Sequence, residues 1–357
     1  MNDKKKRLNS RGIALLVTVA ILSVVVAVSL EMNRRSRSTA TRAVIEQHRM
    51  TLSAMASSGV QAAMAILIRD KAESEIDSVQ EAWANPDIVQ AVVTELAFET
   101  GELSVAIQDE QAKIQVNALV QGLGGRQYNE SQRLLWDRFL RVMHTRLSPD
   151  EPFEPDDVIC ALKDWMDSDD DALSCLNGAE SDYYMALTPP YPCRNGPIPH
   201  IGDLMRIRGI TANLFYGLPN ERGISDYITA YRGDDAKLLP LGSFGKININ
   251  TAEQPVLAAI LPSGKEELVQ AIVDYRVEMS DSKYIHDLSS PSWYKQVPGL
   301  QGVIIDPRLI TLSSDLFRIR ASARMEHLSV TTTVLVHREN DPASGKYTCR
   351  ILTWLVE

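Results

Sequence analysis

From Ile13 to Leu30 the chain runs eighteen residues without a charge. That is the lower edge of what spans a bilayer as a helix, which satisfies its own backbone there. Apolar residues then continue at helical spacing: Val44, Ile45, Leu52, Met55, Val60, Ala63, Met64 and Leu67. Between Ile13 and Ala72 there is no proline, and Gly59 is the one glycine. The pattern predicts a single helix of about 55 to 60 residues, on the order of 80 to 90 Å long. Half would sit in the bilayer and half against a soluble body, with the polar stretch Arg34 to Arg42 between them.

A short helix is expected over 85–98. Leu103, Val105 and Ile107 then alternate with polar residues, as do Ile114 and Val116, and Asp109-Glu110-Gln111 lies between as a turn, which reads as a hairpin. Residues 128–146 read as a helix. The C-terminus returns to strand-rich runs, LFRIRASARM, LSVTTTVLVHR and YTCRILTWLVE, with Asn340 to Gly345 turning the second into the third. The result is an α+β body, a long helix and an antiparallel sheet split by a large all-α insertion.

Composition bounds the function. The net charge is −9, and the basic first twelve residues contribute +4, so the rest carries −13. So acidic a body does not attract nucleic acid. Residues 246–302 nonetheless resemble a helix-hairpin-helix module, with Thr251 as a helix cap and Leu261 to Lys265 as the hairpin. That keeps a membrane-anchored DNA-binding protein as the alternative, against one glycine in the hairpin and the wrong charge. No G-x-S-x-G, H-E-x-x-H or Walker loop is present, and no two of the six histidines share metal-ligand spacing. Asp164 and Asp167 as a glycosidase pair suit the crowded segment less well than cation binding does. No enzyme and no small-molecule substrate is expected.

That crowded segment is residues 150–182, with twelve carboxylates against one base, Lys163. Hard cations such as Ca²⁺ take six to eight oxygens. Asp164, Asp167, Asp169 and Asp171, closed by Glu180 or Asp182, are the expected ligands, and a solvated acidic loop is the competing reading. It is not an EF-hand, since the required Gly and Glu are missing. Four cysteines, Cys160, Cys175, Cys193 and Cys349, form no C-x-x-C. An even count suits an oxidising compartment. Cys175 and Cys193 bracket a Gly-, Pro- and Asn-rich loop and are the expected disulfide, with free buried thiols as the competing reading.

The N-terminus offers three readings: a cleaved secretory signal, a plain anchor, or a prepilin-type signal. A secretory signal needs a shorter core, and the nearest cleavage candidate, Ser38-Thr39-Ala40, lies well beyond the run. Lys4, Lys5, Lys6, Arg7 and Arg11, then Gly12, then Ile13-Ala-Leu-Leu-Val-Thr, resemble the type IV prepilin-like signal. In that family a membrane peptidase cuts after the glycine, here between Gly12 and Ile13, and the new amine is methylated. The fifth mature residue of most such proteins is Glu; here it is Val17. An unpaired carboxylate in hydrocarbon is costly, so Val17 suits a subunit with no neighbour above it.

These features, with IQDEQAKIQVNAL, DWMDSDDD…NGAESDYY, PPYPCRNGPIPHIGDLMRIRGIT and KININTA in that order, resemble the K-type minor pseudopilins of the type II secretion system. The resemblance implies a pilin-like fold with a large inserted all-α domain. It divides the chain into a leader (1–12), a transmembrane helix (13–35), a first core part (36–118), the insertion (119–310) and the closing strands (311–357). It implies calcium in the acidic loop region and I- and J-type minor pseudopilins as partners, with the H-type as a further one. It also implies a single-pass inner-membrane protein with a periplasmic body at the tip of a pseudopilus that exports folded proteins.

Overall fold

The computed structural model describes residues 10–122, 125–147, 153–171, 177–231, 244–341 and 344–357, with side chains from Gly12 onward. Helix α1, Ser10–Glu73, is one unbroken element of 64 residues. Its apolar run lies free of the rest of the chain, none of it buried. From Leu52 on, the helix presents Leu52, Met55, Ala56, Val60, Ala63 and Leu67 to a sheet, all buried. These recur every three to four residues, the stripe a helix needs to pack on one side. Gly59 sits where the approach is tightest: a Cβ there would stand 2.8 Å from Val105 Cγ2.

The sheet has four antiparallel strands in chain order, β1 (Glu102–Asp109), β2 (Leu316–Met325), β3 (Leu328–Asn340) and β4 (Tyr347–Val356). Leu103 pairs with Ala323 and Val105 with Ala321, so the apolar members of each alternation share the face under α1. Phe317, Ile319, Val334 and Val336 complete that face. A short helix α2, Pro86–Thr94, capped by the Asn85 side chain, covers the β1 end.

The expected hairpin is not formed. β1 pairs with β2, more than 200 residues on, over its whole length. Ile114–Gln115 pairs in parallel with Ile228–Thr229. Glu110–Ala112, capped by Asp109, is a 3-10 turn that leads out of the sheet, not back along it. Between β1 and β2 the chain builds a second, mainly helical body: α3 (Glu130–Leu147), α4 (Pro155–Met166), α5 (Ser181–Met185), α6 (Ala212–Tyr216), α7 (Gln254–Ile260) and α8 (Val269–Val277). It buries its own core, with Trp136, Phe139, Trp165, Tyr184 and Trp293 at its centre. Thr251 does not cap α7: Glu253 holds the cap position, and the Thr251 hydroxyl donates to Asp109 Oδ2 at 2.5 Å.

Candidate functional site

Two regions carry chemistry beyond packing. One is the start of α1, where an apolar stretch unburied by the chain must find its own apolar surroundings. Val17 lies in it, half exposed at 51%, and Gly12 and Ile13 are helical at its beginning.

The other is the acidic segment. Helix α4 ends at Met166, and Asp167 takes up extended backbone as its C-cap. That turn sets Asp164 on the last helical turn beside Asp167, and the residues before α5 bring Glu180 back against both. One oxygen of each of the three carboxylates lies within 4.8 Å of the others, and all three residues are buried. Gly178 makes the approach possible: a Cβ there would stand 1.9 Å from Asp164 Oδ2, where the Ala179 N–H instead donates at 2.9 Å.

The electrostatics are unbalanced. Both Glu180 oxygens and Asp164 Oδ1 are buried without a hydrogen-bond partner. Burial, and then the carboxylates of Asp164 and Asp167, push the Glu180 carboxyl up to about 8. Burial likewise raises Asp164, against the pull of Lys163. Lys163 Nζ reaches Asp167 Oδ2 at 2.7 Å and Asp164 Oδ1 at 3.7 Å, so one cation is supplied from within and the cluster stays in excess of negative charge. Buried oxygens without donors, all hard ligands, fit a hard divalent cation.

The remaining expected ligands go elsewhere. Asp169 pairs with Arg126 at 2.7 Å and is only partly buried. Asp171 and Asp182 are exposed, the latter at the start of α5. Alternation therefore does not aim Asp167, Asp169 and Asp171 at one point. The expected Cys175–Cys193 bridge is also corrected. Cys160 is disulfide-bonded, while Cys193 is a free buried thiol. Its Sγ is turned inward to the Asp164 carbonyl at 3.5 Å, and burial pushes the thiol up to about 12. Cys175 lies outside the described residues.

Sequence reasoning missed a further polar centre, where the helical body joins the sheet. Arg338 on β3 donates from Nη2 to Asp77 Oδ1 at 2.6 Å and to the Ser314 carbonyl at 2.8 Å, and from Nη1 to the Leu67 carbonyl at 3.1 Å. Asp109 Oδ2 accepts from Asn248, Ser314 and Thr251. Asp70 and Glu81 flank Asp77, but here Arg338 already supplies the cation. No local spacing could have revealed it, since the partners come from five distant segments.

Residues 112–220 match the family described as type II secretion system (T2SS), protein K. Type II secretion system protein K of Klebsiella pneumoniae is 27% identical over 293 residues, 80% of this chain and 81% of that protein. The Aeromonas hydrophila protein of the same name is 29% identical over 262 residues, 70% of this chain and 69% of its own length. A chain of the solved GspK–GspI–GspJ complex from the enterotoxigenic Escherichia coli type 2 secretion system shares the fold. Its TM-score is 0.62 at 18% identity, over 88% of this chain and 99% of that one.

Proposed function

The chain belongs to the protein K family of type II secretion systems, and from that premise we propose that it works as a minor pseudopilin at the tip of a pseudopilus. The observation that carries this is α1 itself: an exposed apolar run continuing without a break into the helix on which the sheet packs. Such a rod first anchors the subunit in the inner membrane, with the body on the periplasmic side. It then nests among sister rods, which exchanges lipid for protein at little cost in apolar burial.

Cleavage between Gly12 and Ile13 by prepilin peptidase frees the rod from its basic leader, and the new amine is then methylated. Val17 puts no carboxylate where a subunit above would be needed to neutralise it. The helical body, inserted between β1 and β2, makes a bulky head that suits the top of a filament better than its shaft. I- and J-type minor pseudopilins are the partners, and assembly of this trio starts the filament that exports folded proteins. The subunit carries out no chemistry.

Asp164, Asp167 and Glu180 would hold Ca²⁺, which supplies the missing positive charge and fixes the loop between α4 and α5. The role is structural.

Co-expression of the full chain, Met1–Glu357, with I- and J-type subunits and prepilin peptidase tests the proposal. A stable ternary complex is expected, with the K subunit's N-terminus at Ile13. An intact Met1, or a chain that purifies alone, overturns it.

A further inference from the structure

We propose that Arg34, Arg35 and Arg37 form a cationic collar that binds anionic phospholipid headgroups on the body's side of the membrane. The proposal rests on the membrane-anchor reading and adds to it a ligand class.

The argument starts from distance. The apolar run ends at Leu30, and at 1.5 Å per residue the three arginines lie about 6 to 11 Å farther along α1. Headgroups occupy roughly the 5 to 8 Å outside each edge of the hydrocarbon. Long arginine side chains bend back along the helix to reach that depth.

Charge is the second point. All three are exposed. Arg35 pairs with Glu31 at 2.8 Å, whereas Arg34 and Arg37 have no carboxylate partner among the described residues. Between Ile13 and Arg69 the acids are Glu31 and Glu46 alone, against Arg34, Arg35, Arg37, Arg42, Arg49 and Arg69, and the remaining acids of the mature chain follow from Asp70 on. By helical rotation the three span about 160° of the circumference. Leu52, Ala56 and Ala63, which face the sheet, project along the same arc. The collar therefore faces the membrane patch beneath the body.

The leader gives the collar a consequence. Before cleavage, bases flank both ends of the apolar run, Lys4 to Arg11 and Arg34 to Arg37. Afterwards the collar is the cationic side-chain cluster that remains, so the depth of the mature rod is set from the body's side.

The mature chain, Ile13–Glu357, is reconstituted in nanodiscs of equal phosphatidylglycerol and phosphatidylcholine, and co-ejected lipid is counted by native mass spectrometry. The ratio of phosphatidylglycerol to phosphatidylcholine among the retained lipids is expected to exceed the bulk ratio by about fivefold, since a basic residue near an anionic surface contributes that order of affinity. The Arg34→Gln/Arg35→Gln/Arg37→Gln variant falls to the bulk ratio. Arg49→Gln, about 28 Å past Leu30, leaves the enrichment unchanged. Native chain without enrichment, or a triple variant that keeps it, overturns the collar while leaving the anchor standing. So does a triple variant that instead loses its I- and J-type partners at unchanged lipid ratio, which makes the arginines a protein contact. A chain that does not enter the nanodisc at all overturns the anchor reading, and the collar with it.

Discussion

Replacing Arg338 by Leu tests how the two bodies of the chain are joined. Arg338 and Asp77 are both fully buried, and the guanidinium makes three hydrogen bonds of 2.6 to 3.1 Å while lying 4.7 Å from the Phe317 ring centre. Leucine leaves Asp77 as a buried charge and the Leu67 and Ser314 carbonyls without that donor. Breaking a buried pair from one side costs about 3 to 5 kcal/mol. Asp77 keeps the Ser314 N–H at 2.9 Å and has Lys71 Nζ 3.9 Å away, which places the cost near the lower figure. At about 2 to 4 °C per kcal/mol, the melting temperature of the mature chain in detergent, followed by circular dichroism, should drop by roughly 6 to 12 °C. The double variant Arg338→Met/Asp77→Asn removes both charges and should recover most of that loss, because neither member of the pair is then left as a buried uncompensated charge and an amide oxygen at 77 can still accept from the Ser314 N–H. A drop below about 2 °C, or a double variant as unstable as the single, would refute the reasoning.

The same junction titrates. Burial pushes Asp109 up to about 6, and burial with the Glu81 and Asp77 carboxylates pushes Asp70 up to about 7, so the folded chain holds protons that the unfolded chain releases near pH 4. Their contribution to stability falls as pH rises from about 4 to 7 and is level above that; Asp70→Asn should flatten this slope in melting temperature against pH, and an unchanged slope counts against it. Glu110 runs the other way: despite burial, Lys113 and Arg318 hold it down at about 2, so its stabilisation is lost on acidification below about pH 4.5. For the carboxylate cluster, EDTA should lower the melting temperature of the native chain. Gly178→Ala, whose Cβ meets Asp164 Oδ2, should abolish the calcium-dependent part; a melt indifferent to EDTA would leave a solvated acidic segment. Val17→Glu should impair secretion by placing an unpartnered carboxylate at the head of the rod, and full secretion from that variant would argue against the tip position.

The parts of the fold visible in sequence are those whose signal is local. Helix α1 is readable from its own period, and the turn between β3 and β4 from Asn340 to Gly345. The alternation of Leu103, Val105 and Ile107 identifies β1 and its buried face but says nothing of the partner, because a strand alternates alike beside any neighbour. The neighbour is β2, and the insertion hides that pairing from any local reading. The acidic segment shows its excess of charge, while the turn after α4 decides that Asp164 and Asp167 point inward and Asp169 toward Arg126. Loop composition favoured Cys175 with Cys193, but the orientation of Cys193 toward the Asp164 carbonyl decides against it.

Orientation between rod and head is the property this architecture has to fix. The two larger hydrophobic clusters, one between α1 and the sheet and one inside the helical body, are separate, and a small third one, Tyr231 and Phe244 against Leu316 and Leu352, lies between body and sheet. Apolar contact alone tolerates sliding and rotation, since it is non-directional. Polar bonds supply the direction. Asp77 N donates to the Leu312 carbonyl, and Gln80 Nε2 donates to the carbonyls of Arg276 and His286. Asn248 Nδ2 reaches Asp77, Asp109 and Ser314 together. Arg318 pairs with Glu110, which also accepts from the Thr229 hydroxyl of the helical body. Each bond has a direction, and a rotated head would leave several of these buried groups unsatisfied at about 1 to 3 kcal/mol apiece. A head so fixed holds any partner surface it carries at one angle to the rod, which the proposed tip position would require.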